Sequence, residues 1–292
     1  MGAVGDVMRL RSARAAVRTA LDEDLGVPWC DATSEALVDP GVVATGEIYA
    51  KCAACVVAGA TVARAVLRAV DPNVRVEILC PDGTVVKPKE PILVFRGKAR
   101  SILAAARTAL NFMQRRCATA TLTRKFVDAT RRYGTLILDT RKTTPGLRVF
   151  EKYAVACGGG VNHRFGMYDR ILMKDNHRRL WRGGDPDALD QAVAAARRVF
   201  PRLAVEVEVE SVRECASALK ARPEWIMLDN MSCAEMKKCV RMCRGISKTE
   251  ASGGITLDRA REVAATGVTA ISLGCLTHSA GSIDLSLEWK TT

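Results

Sequence analysis

The sequence predicts an α/β protein that is preceded by a smaller unit of mixed α and β structure. From residue 134 onward, short strand-like runs alternate with amphipathic helical stretches. This alternation requires crossover connections and therefore a parallel sheet. Hydrophobic residues make up 48% of the 292 positions, enough for a large core. No apolar run approaches the roughly 20 residues that cross a bilayer.

The first hundred residues predict a small α+β unit. Apolar residues at helical spacing indicate helices over 11–25 and 61–70. Alternating segments indicate strands at 42–50, 74–80 and 92–96. A long helical stretch over 101–132 follows, and we expect a break in it near Cys117.

The remainder predicts six strands separated by helices such as 187–200, 211–221 and 257–265. This pattern fits either an open doubly wound sheet or a barrel. No G-x-G-x-x-G motif opens the first unit, which argues against a dinucleotide-binding sheet. The predicted strands cover 136–139, 171–174, 203–208, 225–229, 249–251 and 268–274.

The net charge of +12 lies in one segment. Residues 101–182 carry 17 basic and five acidic side chains, whereas the flanking regions are nearly balanced. Such a segment favours an anionic partner, which could be a nucleic acid, a membrane surface or a polyanionic small molecule.

The cysteines and the N-terminus indicate a reduced, cytoplasmic protein. No basic-then-apolar leader is present, and the eleven cysteines are odd in number, so we expect free thiols. Cys52 and Cys55 form a lone C-x-x-C, but no second pair or histidine follows at zinc-binding spacing. Buried thiols are a better interpretation of this pair than a zinc or redox site.

Polar residues or glycines follow nearly every predicted strand. The carboxyl ends of barrel strands carry the active site, so the pattern as a whole predicts a function, although each residue alone could be a solvated strand end. These positions include Asp139, Arg141, Lys142, Lys174, Glu208, Asp229, Ser252, Gly253, Gly254 and Gly274.

The run Val205-Glu-Val-Glu-Val-Glu210 places Glu206 and Glu208 on one face. In a half-exposed antiparallel sheet this face would simply be solvated. In a barrel it would face the interior, where the carboxylates repel unless a cation compensates. Lys174 and a divalent ion are the candidates.

Basic side chains on two loops suit a ligand with several anionic groups. Arg141 and Lys142 follow the first strand, and His163 and Arg164 end a glycine-rich segment. Arginine matches a carboxylate or a phosphate with two parallel hydrogen bonds.

At these positions the chain resembles quinolinate phosphoribosyltransferase, the decarboxylating enzyme also called nicotinate-nucleotide pyrophosphorylase (carboxylating). One departure is Cys117-Ala-Thr-Ala-Thr121, where the family usually has Ser-Gly-Ile before an Ala-Thr pair. The motifs occur in the family's order, at 107–111, 138–148, 151–164, 173–177, 205–208, 228–230, 250–256 and 272–277.

The resemblance implies an incomplete α/β barrel of fewer than eight strands and a smaller N-terminal α+β open sandwich. We expect the sandwich at 1–115, the catalytic barrel at 116–276, and a C-terminal segment, 277–292, that returns to the first domain. It also implies a homodimer, or an assembly of dimers, whose active sites are shared between subunits.

The resemblance also implies the site residues. Those that would line the site of quinolinate, a pyridine dicarboxylate, are Arg141, Lys142, His163, Arg164 and Lys174, and Arg107 would reach the neighbouring subunit's site. Glu208 and Asp229 would face the ribose and the Mg²⁺ of phosphoribosyl pyrophosphate, and with Lys174 they are the catalytic candidates. Its 5′-phosphate would lie against Ser252, Gly253, Gly254 and Gly274.

The implied reaction joins quinolinate and phosphoribosyl pyrophosphate to give nicotinate mononucleotide, pyrophosphate and CO₂, a step of NAD biosynthesis that needs no organic cofactor. Three alternatives remain open. They are a related enzyme with a different acceptor, a nucleic-acid-binding protein, and a barrel that binds phosphorylated ligands without turnover. No recognised nucleic-acid motif supports the second, and the Glu208–Asp229 pair argues against the third.

Overall fold

The computed structural model describes residues 7–52, 54–181 and 185–290. The chain forms two compact units. The first comprises Met1–Arg124, Lys142–Gly159 and Cys275–Thr292, and the second comprises Lys125–Arg141 and Gly160–Gly274. The ends of the predicted first and last segments, 1–6 and 291–292, lie outside the described residues. Within the described ranges, no helix is both long and apolar enough to span a membrane.

The first unit is built on a four-stranded antiparallel sheet in the order β12 (Leu285–Trp289), β1 (Val43–Ala50), β5 (Pro91–Lys98) and β3 (Arg75–Ile78). Its helices bury apolar faces in one core. In α1, Ala13, Val17 and Leu21 recur every four residues and are at most 3% exposed. The elements are α1 (Arg11–Leu25), α2 (Ala32–Leu37), β1 (Val43–Ala50), β2 (Cys55–Val56), α3 (Ala60–Val70), β3 (Arg75–Ile78), β4 (Val85–Val86), β5 (Pro91–Lys98), α4 (Ala99–Thr130), α5 (Arg148–Cys157), α11 (Cys275–His278) and β12 (Leu285–Trp289). The residues of α4 from Lys125 onward belong to the second unit.

The second unit contains a six-stranded parallel sheet, in the order β6 (Leu136–Leu138), β11 (Ala270–Ser272), β10 (Lys248–Ser252), β9 (Trp225–Asp229), β8 (Val205–Val209) and β7 (Ile171–Met173). All six predicted strands are present, and the predicted α/β class is confirmed. Among the described residues β6 and β7 do not pair, so the sheet has two edges. Its elements are β6 (Leu136–Leu138), β7 (Ile171–Met173), α6 (Asp175–Leu180), α7 (Leu189–Val199), β8 (Val205–Val209), α8 (Val212–Leu219), β9 (Trp225–Asp229), α9 (Cys233–Cys243), β10 (Lys248–Ser252), α10 (Leu257–Ala264) and β11 (Ala270–Ser272).

The expected break near Cys117 is wrong, because α4 continues over 32 residues, from Ala99 to Thr130. No glycine or proline interrupts this stretch. The hydroxyl of Thr123 is satisfied within the helix, since it donates to the carbonyl of Thr119 at 2.8 Å.

The cysteines are free thiols, and all eleven lie within the described residues. Cys55 is fully buried in the core of the first unit, where its thiol hydrogen-bonds to that of Cys117. Burial of both thiols, the preferred interpretation of the pair, is confirmed for Cys55 and only in part for Cys52, which is half-buried against the same core.

Candidate active site

The parallel strands of the second unit direct their carboxyl ends to one edge of the sheet. Asp139, Lys174, Asp229, Ser252 and Gly274 lie at or just beyond five of these ends, and Glu208 is the fourth residue of β8. These six predicted residues are thus collected by topology, because every crossover in the sheet returns the chain in the same direction.

Three of the predicted cations line one cavity of about 520 Å³ in the second unit. They are Arg141, Arg164 and Lys174, and the same cavity is also lined by Arg170 and by apolar side chains such as Phe200. Burial and the positive charge of Arg141 lower the pKa of Arg164. Cations that repel one another in a partly apolar cavity are well suited to an anionic ligand, which would relieve the repulsion.

Lys174 is held in place from two sides. Its ammonium lies 2.5 Å from Oε2 of Glu208, whose side chain is only 6% exposed. Its backbone N–H donates to Nδ1 of His177 at 3.0 Å, which caps the first turn of α6. The predicted compensation of Glu208 by Lys174 is confirmed.

The glutamates of β8 differ in their surroundings. Glu206 is 0% exposed and Glu208 is 5% exposed. Glu210, the third of the series, is exposed and lies 3.8 Å from Arg178. The charge of Glu206 is compensated by Arg170, whose guanidinium lies 3.3 Å away. Arg170 in turn packs over the ring of Trp225, 5.4 Å from its centroid.

His163 uses both ring nitrogens within the protein. Nε2 lies 3.0 Å from Glu206 and 3.4 Å from Glu250, and Nδ1 accepts the backbone N–H of Arg164 at 2.8 Å. Burial disfavours the charged ring, whereas the neighbouring glutamates favour it. A second proton would have to sit on Nδ1, where it would break the bond from Arg164. The geometry therefore keeps the proton on Nε2 and the ring neutral.

The pKa values of the two buried carboxyl groups beside His163 are shifted in opposite directions. Burial and the charge of Glu206 raise the pKa of Glu250 and favour its protonated form. Burial opposes the charge on Glu206, but the hydrogen bond to His163 and the charge of Arg170 outweigh it and lower its pKa. Burying one carboxylate beside the Arg170 guanidinium, with the second carboxyl group protonated, costs less free energy than burying two carboxylates.

The ligand atoms of His163, Glu206 and Glu250 lie within 4.8 Å of one another, a spacing that a metal ion could use. Arg170 Nη1, however, lies 3.3 Å from Glu206 and 3.5 Å from Nε2 of His163. A divalent cation would have to displace this guanidinium, so we interpret the group as self-neutralised.

The predicted Mg²⁺ ligands fit the ion only in part. Glu208 has one oxygen on Lys174 and the other 3.4 Å from the N–H of Asp175. Asp229 is half-buried and accepts a hydrogen bond from Asn230 at 2.7 Å. Carboxylates suit Mg²⁺, but with these bonds in place a water-mediated contact is the better fit for Glu208.

Two of the predicted phosphate-binding residues, Gly253 and Gly254, lie in a tight turn directly after β10. Gly253 has φ +97°, and a Cβ there would lie 2.2 Å from the side-chain oxygen of Asn230. Gly254 has φ +54°, and no heavy atom lies within 4 Å of the position that a Cβ would take there. Backbone that approaches a neighbour this closely requires glycine at 253.

Two predicted residues belong to the first unit. Arg107 is exposed on α4. Lys142 is also exposed, and its carbonyl accepts the hydroxyl of Thr277 at 2.6 Å.

Sequence reasoning missed Arg170 and Glu250 as members of the site. Glu250 occupies an alternate position of β10, two residues before Ser252, and begins the motif at 250–256. An inward-facing glutamate on a second strand is the signal that could have identified it, because the alternation that places Glu206 inside applies equally to β10.

Comparisons with known proteins agree on one family. The model described as the C-terminal domain of quinolinate phosphoribosyl transferase matches residues 119–288, and that of the N-terminal domain matches 31–117. The nicotinate-nucleotide pyrophosphorylase (carboxylating) of Mycobacterium leprae is 40% identical over 282 residues, which cover 95% of this chain and 97% of that protein. The chloroplastic protein of the same name from Oryza sativa is 38% identical over 296 residues, covering 95% of this chain and 78% of that protein.

A solved structure gives the same result. The nicotinate-nucleotide pyrophosphorylase of Francisella tularensis superposes with a TM-score of 0.90 at 37% identity, and the match covers 96% of each chain. Family models, sequence relatives and fold agree over nearly the full length, and the chain belongs to the quinolinate phosphoribosyltransferase family.

Proposed function

We propose that this protein transfers the phosphoribosyl group of phosphoribosyl pyrophosphate to the ring nitrogen of quinolinate and releases the 2-carboxylate as CO₂. The products are nicotinate mononucleotide and pyrophosphate, and the reaction takes place in the cytoplasm. The observation that carries the proposal is the cavity lined by Arg141, Arg164 and Lys174. Three cations around a partly apolar space match an aromatic ring with two carboxylates.

The cations bind and orient the acceptor. Two arginines can each take a carboxylate with two hydrogen bonds, which fixes the plane of the ring and directs its nitrogen at the sugar. The N–C1′ bond forms as the bond from C1′ to pyrophosphate breaks, and positive charge develops on the sugar. The Glu208 carboxylate and Asp229 favour that charge.

Decarboxylation then follows from the alkylated ring. The cationic pyridinium accepts the electron pair of the C2–carboxylate bond as CO₂ leaves, so no organic cofactor is needed. The resulting carbanion takes one proton, which we assign to the ammonium of Lys174. Mg²⁺ bound near Glu208 and Asp229 would neutralise the departing pyrophosphate, and Ser252, Gly253, Gly254 and Gly274 would hold the 5′-phosphate of the donor.

We further propose that the enzyme is a homodimer, or an assembly of dimers, with shared sites. Arg107 of one subunit would complete the site of its neighbour, with Lys142 and His163 contributing to the acceptor side. The exposed position of Arg107 on a rigid helix is consistent with this role.

The test is an assay for CO₂ release that depends on both quinolinate and phosphoribosyl pyrophosphate, with nicotinate as the competing acceptor. Release only with both substrates, accompanied by nicotinate mononucleotide, supports the proposal. Turnover of nicotinate with none of quinolinate would instead indicate a related enzyme with a different acceptor.

A further inference from the structure

The buried pair Glu206 and Glu250 has no direct contact with the proposed chemistry, yet both carboxyl groups are 0% exposed. They come from strands β8 and β10, which are separated in the sheet by β9. Burying two carboxyl groups is costly unless each has a partner. Both carboxyl groups lie within 3.4 Å of Nε2 of the His163 imidazole.

The imidazole connects the carboxyl groups to the backbone of Arg164. Nδ1 accepts the Arg164 N–H at 2.8 Å, so Nδ1 must carry a lone pair and Nε2 must carry the proton. Nε2 donates this proton to Glu206 at 3.0 Å, and Glu250 Oε2 lies 3.4 Å from Nε2. The acids thereby select the one tautomer that can hold the Arg164 amide.

The residue is anchored on its other side as well. The backbone N–H of His163 donates to the buried carboxylate of Asp139 at 2.8 Å. The amides of residues 163 and 164 are thus both fixed by side chains, immediately before a guanidinium that lines the cavity. With both ring nitrogens engaged, His163 acts on a ligand through Arg164.

We infer that Glu206 and Glu250 are positioning residues that, through the Nε2–H tautomer of His163, hold the Arg164 guanidinium in place for a carboxylate of the acceptor. The inference rests on the proposed function, because it takes quinolinate as the ligand of Arg164. It assigns roles to two residues that touch neither substrate.

The first test is independent of activity. The chain has three histidines, so ¹⁵N-histidine labelling and a His163→Gln variant identify the signals of His163. We expect an unprotonated Nδ1 and a protonated Nε2 near neutral pH in the wild type, and loss of this single tautomer in Glu206→Gln. A doubly protonated ring, or a proton on Nδ1, would overturn the inference.

The second test measures binding of quinolinate alone by calorimetry. Glu206→Gln should weaken binding about 10- to 100-fold, since misplacing a positioned group by about 1 Å costs up to about 10²-fold. Glu250→Gln should weaken binding less than Glu250→Leu, because the amide can still donate to Glu206. The KM for phosphoribosyl pyrophosphate should change by less than about twofold in each variant, since the effect passes through Arg164.

The matched control is Glu224→Gln. Glu224 also pairs with an arginine, Arg197 at 2.9 Å, and accepts a backbone N–H, that of Val205 at 2.7 Å. Its loss should lower stability without weakening quinolinate binding. Equal losses of binding in Glu206→Gln and Glu224→Gln would show a general structural effect and reject the inference.

A double-mutant cycle tests whether Glu206 acts on quinolinate binding through Arg164. In an Arg164→Lys background, which keeps the charge and measurable binding, Glu206→Gln should add less than about a twofold loss. An undiminished loss would mean that Glu206 does not act through Arg164. Failure of the wild type to bind quinolinate would reject the proposed function instead, whereas wild-type binding with an unaffected Glu206→Gln variant rejects only the inference.

Discussion

Replacing Gly253 with alanine should destabilise the protein much more than the same change at the adjacent Gly254. Both glycines have positive φ, +97° and +54°, and an L-residue with left-handed backbone costs roughly 1–2 kcal/mol. Only Gly253 is also crowded, because its Cβ would lie 2.2 Å from Asn230 Oδ1 and 2.9 Å from Asn230 N.

The crowding adds a second cost at Gly253. The N–H of Asn230 donates to the carbonyl of Ser252 at 3.0 Å, and the backbone shift that relieves the clash would break this bond. A lost hydrogen bond of this kind costs about 1 kcal/mol. We therefore expect about 1–2 kcal/mol for Gly254→Ala and about 2–3 kcal/mol for Gly253→Ala.

The assay is thermal unfolding of the two variants side by side, combined with the KM for phosphoribosyl pyrophosphate. A difference of 1 kcal/mol corresponds to about 2–4 °C for a chain of this size, so Gly253→Ala should unfold about 2–4 °C below Gly254→Ala. It should also raise the KM for the donor, because Ser252 moves with the turn. Equal melting temperatures would refute the assignment of the close contact to Gly253.

Three further predictions concern the cations, the assembly and pH. Arg141→Lys should weaken quinolinate binding about 10- to 100-fold despite its retained charge, since lysine cannot form two parallel bonds to one carboxylate, and near-normal kcat/KM would contradict its role. Arg107→Ala and Lys174→Ala, each inactive, should regain about a quarter of wild-type activity after subunit exchange, and no recovery in verified heterodimers would argue for sites within one chain. Hydrogen bonds from the hydroxyl and the N–H of Ser34 lower the pKa of Asp31 in the folded protein. The charged carboxylate therefore stabilises the fold at pH values above the ordinary pKa of aspartate, and this stabilisation is lost as the pH falls through the lowered pKa of the folded state. Asp31→Ala should therefore cost about 1 kcal/mol at pH 7 and less in urea unfolding near pH 2, and an equal cost at both pH values would contradict the sign.

Much of the fold could be predicted because the pattern is local. The period-two run of β8 and the apolar face of α1 each follow from neighbouring residues. The continuity of α4 could not be predicted from the unusual residues at 117–119, because the physical determinant is the absence of glycine and proline over the whole segment.

The site residues also divide into those that could be predicted from the sequence and those that could not. Arg141 and Lys174 follow directly from strand ends, so their place on the cavity is a consequence of topology. The partnership of His163 with Glu206 joins residues 43 positions apart, and that with Glu250 spans two further strands. Such pairings depend on which side chains meet across the sheet, and the spacing of residues along the sequence does not determine this.

The last strand sets the order in which the protein can be completed during translation. β12 pairs with β1, from Gly46–Trp289 to Ala50–Leu285, and the ammonium of Lys290 lies 2.9 Å from Glu47. During synthesis the chain must therefore emerge through residue 289 before β1, which also pairs with β5, gains this second neighbour. Until then the β1 edge of the first sheet is unpaired and can pair with other nascent chains. A C-terminal truncation before residue 285 would remove β12 and leave this edge permanently exposed to aggregation.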